Sequence, residues 1–387
     1  MVKFAHVADV HLGGWKQQPM NDLNFQAFQK MIDTSIKNSV EFVLIAGDLF
    51  DSAYPPIETL KEAFSEFKKL YKAGIPCYII AGSHDYSVSG RTFLDVLEKA
   101  GFCKNVFNPE YNENGEIILN PEIKQDIAIY GYPGKKSGLE VPELRKVKLN
   151  DAPGMFKIFM LHTTIDKVAG DIPVDSIETE KLPQADYYAL GHVHLHYNQN
   201  RIVYPGPLFP NNFGELEDLE KGSFVLVDTN ATQQVQFIDV ETKPVEKVNV
   251  EIEDGLKAND LIVAELEKRN VEDKIVLLRV KGELQRGRNS DIKFEKIDEY
   301  VKNRGAFFML KNANKLQTQK PESEIEIKDE ADVEDETIKN YSEQNPSKFN
   351  KNISQLMNAL SIEKQEGETN ESFNSRLLDE ARKILEF

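Results

Sequence analysis

Histidine is concentrated in one short segment of this 387-residue chain. Three of the seven histidines lie within residues 191–196 (GHVHLH), directly after an apolar run. Because alternate residues of an extended segment point the same way, His192 and His194 could address one metal ion. A polar strand edge that binds no metal is the alternative, and the segment alone does not favour either interpretation.

Polar residues of ligand type also follow four other apolar runs. The complete candidate set is Asp9, His11, Asp48, Ser83, His84, His162, His192 and His194. Each of them alone could be a loop residue with local hydrogen bonds. Residues of this kind at the ends of five separate apolar runs are much less expected to arise by chance. Carboxylates and imidazoles without thiolates suit divalent ions such as Mn²⁺, Zn²⁺ or Fe²⁺.

The candidate set is larger than one four-coordinate ion requires. Two ions about 3.5 to 4 Å apart would use its two carboxylates and its four imidazoles other than His84, and Asp48 is the natural carboxylate to bridge them. Such a pair suits the hydrolysis of phosphate esters, because the ions polarise phosphoryl oxygens and lower the pKa of the attacking water. His84 would then protonate the leaving group or neutralise the transition state, and its alternative role is a supporting hydrogen bond.

Apolar runs predict the strands that position this set. Three runs are each followed by apolar residues at helical spacing: residues 2–8, 42–46 and 77–81. The order of strand, polar loop and helix predicts a parallel sheet covered by helices, whose strands have their carboxyl ends along one edge. Further strands are predicted over residues 127–130, 156–161 and 187–190, within a chain that stays β-rich to residue 240.

The pattern of the chain changes near residue 244. Residues 1–244 form the predicted first domain, and residues 245–312 alternate strand and helix patterns as in a small α+β domain. Residues 313–348 are predicted to be an acidic linker, too polar to bury a core. Residues 349–387 carry two amphipathic helical stripes, which either dock on a partner or pack back on the main body.

Composition limits the class of protein. Hydrophobic residues make up 40% of the chain, and we find neither a run of 18 apolar residues nor a signal-peptide pattern, so we expect a cytoplasmic protein without a membrane segment. The chain has only two cysteines, both in apolar contexts, which fits a reducing compartment without a disulfide framework. They form no CxxC pattern, which argues against a thiolate zinc site. The net charge of −17 argues only weakly against a nucleic-acid partner, because residues 321–336 contain nine acidic residues and one lysine.

Five sequence blocks resemble the calcineurin-like metallophosphoesterase superfamily. The blocks are Asp9-x-His11, Gly47-Asp48, Gly82-Ser83-His84-Asp85, His162 and Gly191-His192-x-His194. The segments at residues 11–13 (HLG), 47–51 (GDLFD) and 204–206 (YPG) are similar to the archaeal Mre (meiotic recombination)/SbcD family of DNA double-strand-break repair nucleases. The resemblance implies an α/β fold: a β-sandwich flanked by helices, a small α+β capping domain that binds DNA, and a C-terminal helical pair.

The same resemblance implies roles for individual residues. It implies two Mn²⁺ ions per subunit, the first held by Asp9, His11, Asp48 and His194, and the second by Asp48, Ser83, His162 and His192. His84 matches the catalytic histidine of the family. The implied activities are a 3′→5′ exonuclease on double-stranded DNA and an endonuclease on single strands, both at broken DNA ends.

The resemblance also implies partners. Family members form homodimers through helices that match about residues 57–72 and 90–101. They bind a coiled-coil ATPase of the ABC/SMC-like class through a helical pair that matches residues 350–386.

Three positions depart from the family pattern. Ser83 stands where asparagine is usual, Asp51 where some archaeal relatives have histidine, and Pro207 where serine is common. A hydroxyl is a shorter and weaker ligand than an amide carbonyl, so we expect the second metal ion to bind more loosely or through a water.

Two other functions stay open at this point: a small-molecule phosphodiesterase of the same superfamily, and a DNA-end scaffold with weak nuclease activity. Several residues could contact DNA phosphates, although a solvated surface position is the alternative for each: Tyr86, Ser87, Arg91, Lys135, Lys136, Arg286 and Arg288.

Overall fold

The computed structural model describes residues 2–87, 90, 92–135, 140–170, 174–231, 234–318, 347, 349–362 and 370–385. The chain divides into two compact units, Met1–Thr318 and Gln319–Phe387. No helix in these described ranges is both long enough and apolar enough to cross a membrane.

The first unit contains four sheets with helices between their strands. Its strands are β1 (Lys3–Val7), β2 (Phe42–Ala46), β3 (Cys77–Ile80), β4 (Lys104–Asn105), β5 (Pro109–Tyr111), β6 (Ile117–Leu119), β7 (Glu122–Lys124), β8 (Ile127–Tyr132), β9 (Val147–Leu149), β10 (Phe156–His162), β11 (Tyr187–Gly191), β12 (His196–Gln199), β13 (Ile202–Pro205), β14 (Gly222–Asp228), β15 (Val235–Val240), β16 (Val245–Glu251), β17 (Ile275–Leu284) and β18 (Phe308–Thr318). Its helices are α1 (Gln18–Lys37), α2 (Ile57–Lys72), α3 (Leu94–Lys99), α4 (Glu140–Leu144), α5 (Asp166–Ala169), α6 (Phe213–Leu219), α7 (Ala258–Glu267) and α8 (Phe294–Asn303).

Two six-stranded sheets form a sandwich. Their strand orders are β15-β14-β1-β2-β3-β4 and β12-β13-β11-β10-β8-β7. Apolar side chains from both sheets share one buried cluster, in which the rings of Phe4 and Phe42 stack 5.0 Å apart and Met160 comes from the opposite sheet. The sandwich implied by the family resemblance is therefore present. The apolar runs alone predicted one sheet, whereas the strands of the candidate site lie in two sheets. An apolar run shows that a strand is buried on both faces, but it does not show which sheet the strand joins.

The predicted parallel order is confirmed within each half of the sandwich. Strands β1 to β4 pair in parallel, and so do β8, β10, β11 and β13. Helices α1 and α2 cover the outer face of the first sheet, because their apolar stripes, including Phe28 and Phe67, pack into one cluster with β1 to β3. The carboxyl ends of the strands that precede the candidate residues consequently come together at one end of the sandwich.

A smaller parallel sheet, β16-β17-β18, carries α7 and α8 on one face around its own apolar cluster. Three of its residues, Ile275, Leu277 and Leu310, pack into the cluster beneath the helices of the first sheet. The division proposed near residue 244 separates this sheet from the sandwich, although both belong to the first unit.

The start of the predicted acidic linker needs a correction. Strand β18 extends to Thr318, six residues into the segment assigned to the linker from residue 313. Most side chains of residues 313–318 are exposed, which explains their polar character, but Leu316 is buried in the apolar cluster of the β16-β17-β18 sheet. Most of the remaining linker, residues 319–346 and 348, lies outside the described residues.

In the second unit, two helices occupy the segments with the predicted apolar stripes. Helix α9 spans Ile353–Leu360 and helix α10 spans Asn370–Leu385. The side-chain amide of Asn352 donates a 2.7 Å hydrogen bond to the carbonyl of Ile384, which ties the two helices together.

Candidate metal centre

The backbone is strained where the candidate residues leave their strands. Asp9, His11, Asp48 and His192 have φ angles of 51°, 47°, 50° and 97°, a region that residues other than glycine rarely adopt. Each such residue costs of the order of 1–3 kcal/mol, and this kind of strain is typical of functional sites. The loops after β1 and β2 hold each other in place, because the amide of His11 donates to the carbonyl of Asp48 at 3.0 Å.

Asp9, His11 and His194 form the first group of possible ligands. The Nε2 atoms of His11 and His194 lie 3.3 Å apart, and Asp9 Oδ1 lies 3.8 Å from His194 Nε2. Two imidazole nitrogens that face each other need a proton or a cation between them. Ligand atoms of all three residues lie within 4.8 Å of one another, as a bound ion requires.

Asp48 lies between this group and a second one. Its Oδ2 is 3.7 Å from His11 Nε2, 3.1 Å from His162 Nε2 and 3.5 Å from Ser83 Oγ. His162 Nε2 is fully buried and has no hydrogen-bond partner among the residues that the structure describes, since its approach to Asp48 lies outside hydrogen-bond geometry. A buried, unpartnered nitrogen that faces a carboxylate fits a metal ligand, and the position of Asp48 fits a bridge between two ions.

His192 reaches the site in two ways. Its amide donates to both carboxylate oxygens of Asp9, at 2.9 and 3.1 Å, and its ring centroid is 5.0 Å from that of His162. Desolvation by the surrounding atoms and the positive charge of His162 lower the pKa of His192 to about 4. The ring is therefore neutral at physiological pH, the form that binds metals.

Three of the imidazoles are oriented through their other ring nitrogen. The Nδ1 atoms of His11, His162 and His194 lie 3.2, 2.9 and 3.0 Å from Asp51 Oδ1, the Ala46 carbonyl oxygen and Glu215 Oε1, respectively. Donation from Nδ1 leaves the lone pair of Nε2 free for a metal. The supporting role of Glu215 is absent from the sequence analysis, because nothing in the sequence relates a residue of α6 to a histidine 21 positions earlier.

Electrostatics keep Asp48 ionised. Burial acts to raise its pKa, but the nearby charges of His162 and His11 outweigh burial and hold the pKa well below its usual range. Burial likewise acts to lower the pKa of His162, and Asp48 raises it to about 10. A divalent ion would take the place of the proton that this carboxylate holds on the ring.

His84 lies at the open side of the centre. Its amide donates to Asp48 Oδ1 at 2.8 Å, and its Nδ1 lies 2.9 Å from the carbonyl oxygen of Asp51. The exposed ring lines a cavity of about 370 Å³ together with Ser83, Tyr54 and Tyr86. Its Nε2 can therefore meet a substrate that enters from solvent.

Asp85 connects the loops that carry these groups. This buried carboxylate accepts hydrogen bonds from the amides of Gly82, Leu49 and Phe50 at 2.9, 3.3 and 3.0 Å. Burial and the nearby charge of Asp48 raise its pKa to about 6. Its contacts are structural, since they join the loop after β2 to the loop after β3.

The comparisons with known proteins agree with this geometry. The family model for the calcineurin-like phosphoesterase matches residues 2–196, a range that includes every residue of the candidate set. The chain belongs to the calcineurin-like phosphoesterase family. It is a metal-dependent phosphodiester hydrolase, and the family implies the dinuclear centre that the two ligand groups fit.

Several relatives of this phosphoesterase are similar over most of their length. The DNA double-strand break repair protein Mre11 of Archaeoglobus fulgidus is 30% identical, over 78% of this chain and 75% of the relative. The protein of the same name from Methanocaldococcus jannaschii is 29% identical, over 77% of each. The uncharacterized metallophosphoesterase YhaO of Bacillus subtilis is 28% identical, over 72% of this chain and 69% of the relative.

The residues of the phosphoesterase centre divide the chemistry among them. When bound, two divalent ions polarise phosphoryl oxygens and make a water more acidic. The carboxylates and oriented imidazoles would hold these ions, and His84, whose exposed ring lies at the open side of the centre, would be the group that gives a proton to a leaving oxygen.

Other predicted residues stand apart from the centre. His196 Nε2 lies 2.6 Å from Ser223 Oγ, a contact that ties β12 to β14. Of the candidate DNA contacts, Lys135 is paired with Glu143, whereas Arg286 and Arg288 are exposed. Arg91 and Lys136 lie outside the described residues.

Proposed function

We propose that the protein is a cytoplasmic Mn²⁺-dependent DNA nuclease that processes double-strand breaks. Its activities would be a 3′→5′ exonuclease on double-stranded DNA and an endonuclease on single strands. The observation that carries the proposal is the reach of the similarity, since the archaeal relatives named for DNA repair match 77–78% of the chain, well beyond the phosphoesterase match to residue 196.

The metal ligands proposed from the sequence are retained. The first ion would be held by Asp9, His11, Asp48 and His194, and the second by Asp48, Ser83, His162 and His192. Support comes from Asp48 Oδ2, which lies 3.1 to 3.7 Å from possible ligand atoms of both groups. His84 would act as the general acid, because its exposed ring lies at the open side of the centre next to His11 and Asp48 and lines the cavity that a substrate can enter.

The proposal includes two protein partners. A coiled-coil ABC/SMC-like ATPase would bind residues 350–386, where α9 and α10 expose Leu360 and Leu378 by about half. A second copy of the chain would bind near residues 57–72 and 90–101. Support for this contact comes from the exposed apolar side chains of Ile57, Tyr71 and Val96 on α2 and α3.

Cleavage of end-labelled DNA in Mn²⁺ tests the proposed activity. The wild-type chain should shorten labelled duplexes from their 3′ ends and should turn over DNA faster than bis-p-nitrophenyl phosphate. His84→Ala should lose cleavage by two to four orders of magnitude, the range that general acid catalysis contributes, while it still binds DNA. His196→Gln, which keeps a hydrogen-bonding side chain next to Ser223, is the matched control and should cleave normally.

Two results would contradict the proposal. Normal cleavage by His84→Ala would remove the role of His84. Efficient turnover of the small ester without cleavage of DNA would favour a small-molecule phosphodiesterase.

One observation favours a second candidate function, a DNA-end scaffold with weak nuclease activity. Ser83 Oγ lies 3.5 Å from Asp48 Oδ2, which suits a loosely held second ion. DNA binding with little cleavage at saturating Mn²⁺, both with and without the ATPase, would support the scaffold.

A further inference from the structure

We infer that Glu215 is a positioning residue for the first metal site and acts through His194. Glu215 Oε1 lies 3.0 Å from His194 Nδ1. The other ring nitrogen, Nε2, faces the site, 3.3 Å from His11 Nε2 and 3.8 Å from Asp9 Oδ1. The inference rests on the proposed assignment of Asp9, His11 and His194 to one ion.

The reason lies in the two nitrogens of imidazole. A ring that donates its Nδ1 proton to a carboxylate has its Nε2 lone pair free and its plane fixed, and it is a stronger ligand. His194 depends on such a contact because it lies in the loop between β11 and β12 and its side chain is 22% exposed. His162, by comparison, is held on all sides by the core and donates to a backbone carbonyl.

The carboxylate of Glu215 is itself held in place. Its Oε2 accepts from the amide of Asn211 at 2.8 Å, and its Oε1 accepts from the side-chain amide of Asn212 at 2.6 Å. The amide of Glu215 in turn donates to Asn212 Oδ1 at 3.0 Å, which caps α6. Glu215 therefore meets His194 from a preorganised turn.

The β16-β17-β18 sheet anchors α6, the helix that carries Glu215. Arg279 of β17 donates from Nε to Glu217 Oε1 at 2.9 Å and from a second guanidinium nitrogen to Glu217 Oε2. The guanidinium also lies 5.0 Å from the ring centroid of Phe213. Arg279 therefore contacts residues on either side of Glu215 and holds this short helix against β17.

Calorimetric titration of the full chain with Mn²⁺ tests the inference. Glu215→Ala should weaken one of the two Mn²⁺ sites by about 10- to 100-fold and change the other by less than about twofold. Glu215→Gln keeps a carbonyl acceptor for Nδ1 and should lose less affinity than the alanine variant. Asp218→Ala, the matched control, removes a carboxylate from an exposed position of the same helix and should change neither site.

Three outcomes would overturn the inference. The first is unchanged Mn²⁺ affinity in Glu215→Ala, and the second is an equal loss in the alanine and glutamine variants. The third is an equally large loss in Asp218→Ala, which leaves the contact between Glu215 and His194 in place and so reports on the helix alone.

His194→Ala separates the inference from the assignment of the site. A loss of Mn²⁺ binding in His194→Ala but not in Glu215→Ala would refute the positioning role alone. No loss in either variant would refute the assignment of His194 to a metal ion.

Discussion

Replacing Ser83 with asparagine should tighten the second Mn²⁺ site. Ser83 Oγ lies 3.5 Å from Asp48 Oδ2, whereas neighbouring oxygens on one octahedral ion with bonds of about 2.1 Å lie roughly 3.0 Å apart. The hydroxyl is thus about half an ångström too far for an unstrained shared ion. The carbonyl oxygen of asparagine lies one bond farther from the backbone and can close this gap.

The expected gain follows from the contact that is added. One direct interaction with a charged partner contributes about 1.5–3 kcal/mol, and each 1.4 kcal/mol is a factor of ten in affinity. We therefore expect Ser83→Asn to bind the second ion about 10- to 100-fold more tightly. The larger side chain has room, because Ser83 lines the cavity of about 370 Å³ beside His84.

Isothermal titration calorimetry with Mn²⁺ measures this gain for each site. Ser83→Ala is the control, and it should lose at most about threefold if the hydroxyl is as weak a ligand as its distance indicates. Equal affinities of Ser83→Asn and the wild type would refute the reasoning, and so would a tenfold loss in Ser83→Ala.

Three further predictions follow from the proton on His162, which affects both metal affinity and stability, and from the packing of Gly191. Burial acts to lower the pKa of His162, but Asp48 raises it to about 10. Below that pH, a metal ion that binds His162 must displace a proton. The affinity of the site for Mn²⁺ should therefore rise by up to tenfold for each unit that the pH is raised. Titrations in buffers of different ionisation enthalpy measure the released proton, and a constant affinity between about pH 6 and 9 would contradict this role. In the metal-free protein, the raised pKa of His162 means that the His162–Asp48 pair contributes its full free energy of stabilisation below about pH 6.5 and loses that contribution as the pH rises towards 10. A midpoint of urea unfolding that rises over this pH range would contradict this prediction. Gly191→Ala should destabilise the fold by about 3 kcal/mol in urea unfolding, because the added Cβ would lie 2.2 Å from the carbonyl oxygen of Ala46. A change below about 0.5 kcal/mol would show that this close approach relaxes freely.

The sequence was sufficient to predict the strands and the residues that follow them. Apolar runs end where residues that can bind metals begin, as at Asp48 after β2 and His162 at the end of β10. The run and the residue that follows it are both visible in a short stretch of sequence. The helices over Gln18–Lys37 and Ile57–Lys72 were predictable for the same reason, since their apolar spacing is local.

Long-range contacts account for what the sequence did not predict. Nothing in the run 156–161 shows that β10 pairs with β8 and β11 in the opposite sheet. The orientation of His194 by Glu215 depends on where α6 packs, and no local pattern encodes that position. Similarly, the sequence shows that Ser83 departs from the family pattern, but only the structure shows that its Oγ lies 3.5 Å from Asp48 Oδ2.

The most direct test of the account is anomalous X-ray diffraction from crystals grown with Mn²⁺. We expect two manganese peaks about 3.5 to 4 Å apart, both in contact with the carboxylate of Asp48. One ion should also contact Asp9, His11 and His194, and the other His162. A single peak, or two peaks of which one does not contact Asp48, would contradict the dinuclear centre.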